Sequence, residues 1–302
     1  MVTVIINCYN GEEYLQEALD SLHNQTYQDF DVVFWDNCST DQSVAIAEQY
    51  DGNIKTYHGT EFVGLGSARN LAIQKADGDL IAFLDCDDQW ERDKLEKQVR
   101  IFKENPDIDL VTTNFSIMNM ESGVTKLNDW HGVSGVGGLH ELIAAGSIST
   151  SACMVRKAVL QKLSFVFDTQ LKYTMDFELY SRIATEKNTY FINESLVTYR
   201  IHQSMTTKKL QNVMKEEYDV LLNSIYSVHP IFAEKYPDDI RQLEFTRDFL
   251  QAKFLLSNNK KETRELLKPY FPNHRAMLLF FLALLPGKSG NRLFEFLKSK
   301  RV

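Results

Sequence analysis

The sequence predicts an α/β fold, a mostly parallel sheet flanked by helices and followed by a C-terminal all-helical extension. Three observations carry this reading. Strand-like runs and helical patterns alternate from the first residues onward, the signature of βαβ units around a parallel sheet. Polar residues collect at the ends of those strands, where an open sheet binds its ligands. After about Ser204 the β signal vanishes and helical spacing continues to the end.

The chain opens on Val2-Thr3-Val4-Ile5-Ile6, which reads as a strand over 2–8. Short apolar runs rich in β-branched and aromatic residues predict strands near 30–35, 53–57 and 79–85. Helices are expected in the gaps, near 12–24, 41–50, 66–76 and 91–104. Past the Asn105-Pro106 break another strand is expected near 108–118. The stretch 121–150 holds Gly123, Gly132, Gly135, Gly137, Gly138 and Gly146, and is expected to be a mobile, functional loop. A helix over 176–186 and a strand over 190–200 follow, then helices over 207–228, 238–257 and 260–268. The predicted division is a catalytic domain over 1–205 and a helical extension over 206–302, with no internal repeat.

Composition narrows the function classes. With 44% hydrophobic and 25% charged residues the 302-residue chain is globular, and disorder is not expected. A net charge of −8 argues against a nucleic-acid binder, which would show a basic face. The four cysteines, Cys8, Cys38, Cys86 and Cys153, lack zinc-site spacing. Free thiols, and an opening strand with no basic leader ahead of it, predict a reducing cytoplasmic setting.

The segment Leu84-Asp85-Cys86-Asp87-Asp88 follows a buried-type strand, so three carboxylates emerge together at its end. Crowded carboxylates stay ionised only if a cation joins them. Mg²⁺ or Mn²⁺ with a substrate phosphate meets that need. Three further polar sites are expected to share the crevice: Cys8-Tyr9-Asn10-Gly11, Asp36-Asn37-Cys38-Ser39-Thr40-Asp41, and Gly64 to Asn70 at a helix start. The last is not a dinucleotide fingerprint, because its third glycine is missing.

Taken in order, Cys8-Tyr9-Asn10, Gln25-Thr26-Tyr27, the 36–41 run, Ala68-Arg69-Asn70 and the 84–88 cluster resemble glycosyltransferase family 2. The resemblance covers roughly 1–205 and implies a GT-A (Rossmann-like) fold and inverting transfer from a nucleotide-sugar donor. It implies that Cys8, Tyr9, Asn10, Asp36, Arg69, Asp85, Cys86 and Asp87 line the donor. Tyr9 would lie beside the base and Asp36 would accept a hydrogen bond from uracil. Asp85 would hold the ribose side, and Asp87 the Mn²⁺ or Mg²⁺ that bridges the diphosphate. Ser39 to Asp41 also read as a helix cap.

Tyr173-Thr174-Met175-Asp176-Phe177-Glu178 is similar to the family's acidic pair, with Met175 in place of the first acid. The resemblance makes Asp176 the base that deprotonates the acceptor, against a plain capping role. Glu178 is the reserve. Tyr199-Arg200-Ile201-His202 resembles the family's terminal motif and brings His202 to the metal or diphosphate. Cys38 stands where the family usually has glycine. A nucleotidyltransferase, or a non-catalytic membrane-associated binding protein, is the alternative.

The run 276–285 is apolar on every face but shorter than the ~20 residues of a membrane span. Beyond it, Lys288, Arg292, Lys298, Lys300 and Arg301 face one acid, Glu295. Such a pair of helices over 274–302 suits an anionic membrane surface on the inner face of the cell membrane. A docked helix or a homodimer contact is the alternative. The expected partners are a nucleotide-sugar donor and a glycan or lipid-linked acceptor.

Overall fold

The computed structural model describes residues 1–50, 53–205, 213–285 and 289–299. The chain divides into two compact units, Met1–His202 and Gln203–Val302.

The first unit is built on one sheet. Its first half consists of β1 (Val2–Cys8), β2 (Phe30–Asp36), β3 (Ile54–His58), β4 (Leu80–Phe83) and the two-residue β5 (Gln89–Trp90). Its second half is β6 (Leu110–Asn119), β7 (Thr125–Leu127), β8 (Gly135–Gly137), β9 (Cys153–Arg156) and β10 (Thr189–Ile201). The order across the sheet is β3-β2-β1-β4-β9-β6-β10-β5, with β7 on β6 and β8 on β10. β1 pairs parallel with both β2 and β4, and all seven of its residues are buried. A strand buried on both faces needs a continuous apolar run, which explains why these segments do not alternate.

Helices α1 (Leu15–His23), α2 (Ser43–Glu48), α3 (Leu65–Ile73) and α4 (Lys94–Glu104) are the crossovers. In α1 the buried residues are Leu15, Ala18, Leu19 and Leu22, the spacing of one helical face. They join Val4, Ile6, Phe34, Leu95, Val99 and Met154 in the main core.

Two expectations change. The parallel order is interrupted by β9, which lies antiparallel between β4 and β6. The 121–150 stretch is largely structured, holding β7, β8 and α5 (Leu139–Ala144). Its glycines are turn and contact devices: Gly135 and Gly146 have positive φ. At Gly138 a Cβ would lie 1.5 Å from Thr185 O, so only glycine lets α5 dock there. Helices α6 (Lys157–Leu160) and α7 (Met175–Ile183) complete the unit.

The second unit is helical: α8 (Met214–Val228), α9 (Phe232–Lys235), α10 (Pro237–Leu255), α11 (Lys260–Leu267), α12 (His274–Leu282) and α13 (Ser289–Ser299). Its own core gathers Ala252, Leu256, Leu267, Ala276, Leu279 and Leu282. Asn273 caps α12, its Oδ1 accepting from Arg275 N and Ala276 N. The face of α12 opposite that core leaves Leu278, Phe281 and Leu284 exposed. Of the basic C-terminal residues, Lys288, Lys300 and Arg301 lie outside the described residues.

Candidate active site

The loops after β1 and β2 are tied together residue by residue. Asn37 N donates to Cys8 O at 2.8 Å, Asn10 N to Ser39 Oγ, and Thr40 N to Asn10 Oδ1. Asp41 caps α2 by accepting from Ser43 N, and its other oxygen accepts from Glu12 N. Ser39 to Asp41 and the side chain of Asn10 therefore hold the crevice floor in shape. Asn10 and Cys38 both have positive φ, 51° and 67°. At position 38 that conformation accounts for the glycine expected there.

Asp36 is buried, accepts from Ser39 N at 3.0 Å, and lies 3.7 Å from His58 Nδ1. Tyr9 stands beyond it, 50% exposed, its ring centroid 4.6 Å from that of Phe62, itself 60% exposed. Two large aromatic rings left in solvent at a strand-end crevice form a surface on which a flat ring can stack. Phe62 belongs to the irregular segment between β3 and α3, where no periodicity marked it.

The carboxylate cluster divides into three environments. Asp85 Oδ1 accepts from Arg69 Nη2 at 2.6 Å, and the Arg69 guanidinium is buried with its carbon 5.3 Å from the Phe167 ring centre. Asp87 Oδ2 faces His202 Nε2 at 3.0 Å. Asp88 is fully buried, accepting from Ser151 Oγ at 2.6 Å and from Arg200 N at 3.1 Å. Burial, with Asp87 and Asp85 adding to it, holds the Asp88 carboxyl well above the usual range. Asp88 thus fastens the 85–88 turn to the 150–152 turn just before β9 and to the end of β10. Cys8 is buried and Cys86 half-buried, and their two sulfurs flank Gly11 at the foot of the cluster, each 2.9 Å from where a Cβ on that glycine would lie.

Asp176 begins α7. Its Oδ2 accepts from Thr150 Oγ1 at 3.1 Å and its Oδ1 from Phe177 N at 2.7 Å. Burial raises its carboxyl above the ordinary range, opposed by the positive charge of Arg69. Arg69 is thereby a neighbour of both Asp85 and Asp176, so the two halves of the site share one guanidinium. Helix phase settles the adjacent positions. Met175 is buried with its sulfur 3.3 Å from where a Cβ on Gly66 would be, packing α7 on α3. Glu178 is buried in a two-pronged pair with Arg182, at 2.7 and 2.9 Å, and is not free to act as a base.

His202 is packed against Tyr14, with ring centres 4.8 Å apart, and Tyr14 in turn covers the Arg200 guanidinium at 5.3 Å. Arg200 pairs with Glu17 of α1. Tyr14, Glu17, Thr150 and Ser151 are positioning residues that no sequence motif marked, because each acts through a partner far along the chain.

Among the described residues no group of three or more His, Cys, Asp or Glu side chains is arranged to hold a metal ion. Asp87 and His202 nonetheless present one carboxylate oxygen and one imidazole nitrogen side by side. Mg²⁺ and Mn²⁺ usually keep several waters and substrate phosphate oxygens, so a two-residue donor set fits such an ion.

An uncharacterized glycosyltransferase of Rickettsia typhi is 30% identical over 235 residues, 73% of this chain and 70% of its own. The Escherichia coli UDP-Glc:alpha-D-GlcNAc-diphosphoundecaprenol beta-1,3-glucosyltransferase WfgD is 28% identical over 73% of this chain and 85% of its own. The fold is that of S. aureus TarS, with a TM-score of 0.62 at 20% identity over 94% of this chain, which spans 48% of that longer one. TarS 1–349, solved in complex with UDP-GlcNAc, gives 0.62 at 16% identity over 93% of this chain and 90% of its own. The model described as Glycosyl transferase family 2 matches residues 3–164, a span that takes in the ends of β1, β2 and β4 but stops short of His202, and on that match the chain belongs to glycosyl transferase family 2.

Proposed function

We propose that this glycosyltransferase moves a sugar from a nucleoside diphosphate, a UDP-sugar, to an acceptor hydroxyl with inversion at the anomeric carbon. The observation that carries the reading is buried Arg69, which donates to Asp85 and whose positive charge also acts on Asp176. In this reading Tyr9 and Phe62 stack on the base, and Asp36 accepts from its imide N–H. Arg69 and Asp85 hold the ribose side. Cys8, Asn10 and Cys86 shape the floor beneath it.

Asp87 and His202 would hold Mn²⁺ or Mg²⁺. When bound, that ion offsets the charge that builds on the departing diphosphate. Asp176 takes the proton of the acceptor hydroxyl as its oxygen bonds to the anomeric carbon and the bond to the diphosphate breaks. A carboxylate that is partly desolvated and set beside a cation suits this role.

The acceptor we infer is a surface polysaccharide or lipid-linked glycan, the class on which the E. coli relative acts by its name. Exposed Leu278, Phe281 and Leu284 support contact with an anionic membrane surface from the cytoplasmic side. No helix among the described residues is long and apolar enough to cross a membrane. Self-association through the same stripe is the competing reading.

Thermal shift of the purified chain against a panel of nucleotide sugars, with and without Mn²⁺, tests the donor half. NMR of the product then reads the anomeric configuration. Metal-independent stabilisation, or pyrophosphate among the products, would overturn the reading in favour of other chemistry.

A further inference from the structure

Of the four cysteines, two are accounted for by their surroundings. Cys153 is buried against Thr112 and Ser149, and Cys38 Sγ donates to Gly59 O. Cys8 and Cys86 are different. β1 and β4 run parallel in the register Val2↔Leu80 to Ile5↔Phe83, and Leu84 N donates to Ile5 O at 3.0 Å. β1 ends at Cys8, and Cys86 lies three residues past the end of β4, in the turn that follows it. Both sulfurs also lie 2.9 Å from the point a Cβ on Gly11 would take. Glycine at position 11 leaves the space in which the two sulfurs approach each other.

We propose that Cys8 and Cys86 form a reversible disulfide that switches the donor crevice off, with hydrogen peroxide as the oxidant. Half-buried Cys86 is the thiol reached from the crevice, and buried Cys8 resolves it. The Cys8 thiol, burial and the flanking carboxylates hold the Cys86 thiol well above its usual range, so the first step is slow at neutral pH. The Cys86 sulfur attacks the peroxide, the O–O bond breaks, and a sulfenic acid and one water result. The Cys8 sulfur then attacks Cys86 sulfur, the S–O bond breaks, and a second water leaves. Two thiols lose two electrons and two protons, and one peroxide becomes two waters. Because Cys86 stands between Asp85 and Asp87, drawing it toward Cys8 pulls the turn away from Arg69 on one side and His202 on the other. A dithiol reductant reverses the change.

The functional consequence rests on the donor reading; the bond itself does not. Full-length protein is treated with stoichiometric hydrogen peroxide, its free thiols are blocked, and it is digested for mass spectrometry. The expected result is a linked Cys8–Cys86 peptide and a loss of about 2 Da, both reversed by dithiothreitol. Binding of UDP with Mn²⁺ should fall about tenfold or more between the reduced and oxidised forms. Cys8→Ser should stop at a sulfenic acid about 16 Da heavier, trapped by dimedone, and Cys86→Ser should show neither change. A Cys38→Ser variant should still give the linked peptide. Absence of that peptide in the wild-type chain, or a linked chain that binds UDP as well as the reduced one, overturns the proposal. Reduced protein that binds no nucleotide would instead count against the donor reading, leaving the mass result to decide the bond.

Discussion

His202 Nε2 lies 3.0 Å from Asp87 Oδ2, across 115 positions of sequence. The contact brings the end of β10 onto the turn after β4, and Tyr14 braces the imidazole from the α1 side. If the pair holds the divalent ion, Asp87→Ala should abolish the Mn²⁺-dependent part of UDP binding. Removing the bracing ring with Tyr14→Leu should weaken it by about 10–100-fold, the usual cost of a lost supporting contact. Titration calorimetry with and without Mn²⁺ measures both. Metal-dependent binding that survives Asp87→Ala would place the ion elsewhere.

In the proposed reading Arg69 links the donor and acceptor sides, and its burial makes it a stability element as well. Arg69→Met leaves Asp85 and Asp176 facing each other without a counter-charge. Breaking such a buried pair from one side costs about 3–5 kcal/mol, and urea denaturation should show most of it. Asp85→Asn should cost less, since Asp85 keeps 29% of its side-chain surface exposed. Equal losses from the two variants would argue against this division.

For Asp176 the prediction separates binding from chemistry. Asp176→Asn keeps the acceptor of the Thr150 hydroxyl, so donor affinity should change little. Transfer should fall by about 10²–10⁴-fold, the range for a lost general base. A base acts only when ionised, and burial raises this carboxyl. The kcat of the wild-type enzyme should therefore climb with pH through a value above the ordinary aspartate range. A flat acid limb, or an active Asn variant, would remove Asp176 from the role.

How much of this was legible depended on whether the signal was local. The runs that became β1, β2 and β4 are mostly apolar, with only Thr3, Asn7, Asp31 and Asp36 as polar residues, so burial on both faces showed directly in composition. β9 is four residues long and enters antiparallel, and nothing in Cys153-Met154-Val155-Arg156 announces its place between β4 and β6. The choice between Asp176 and Glu178 was present in helix phase, for Met175, Glu178 and Leu179 share the buried face. The Asp88 latch to Ser151 and Arg200, and Phe62 against Tyr9, are long-range contacts that no spacing rule reaches.

The stripe Leu278, Phe281 and Leu284 is 36%, 53% and 54% exposed at successive steps along and just past α12. Replacing all three by serine removes apolar surface without emptying the core formed by Ala276, Leu279 and Leu282. If the stripe rests on lipid, sedimentation with phosphatidylglycerol vesicles should weaken about tenfold or more, because each buried CH₂ contributes ~0.8 kcal/mol. Retained sedimentation would sink the membrane reading. A fall in oligomer mass without any change in sedimentation would assign the stripe to self-association.

Lys94 supplies a prediction in pH. It is fully buried, donates to Gln98 Oε1 at 2.7 Å, and sits 3.9 Å over the Trp90 ring. The ring and the amide favour the ammonium, but desolvation outweighs them and lowers its pKa from 10.5 to about 7. Between those values the unfolded chain carries a proton the folded chain lacks, so stability rises with pH by up to ~1.4 kcal/mol per unit. Below the folded value both states are protonated, the slope vanishes, and the full cost of the buried charge remains. Lys94→Met removes this dependence, and the amide left without its donor adds a cost that does not vary with pH. The wild type should therefore gain about 2 kcal/mol on the variant between about pH 7 and pH 9. Urea denaturation at several pH values reads the difference, and a gap that stays constant would mean that Lys94 keeps its proton in the folded protein.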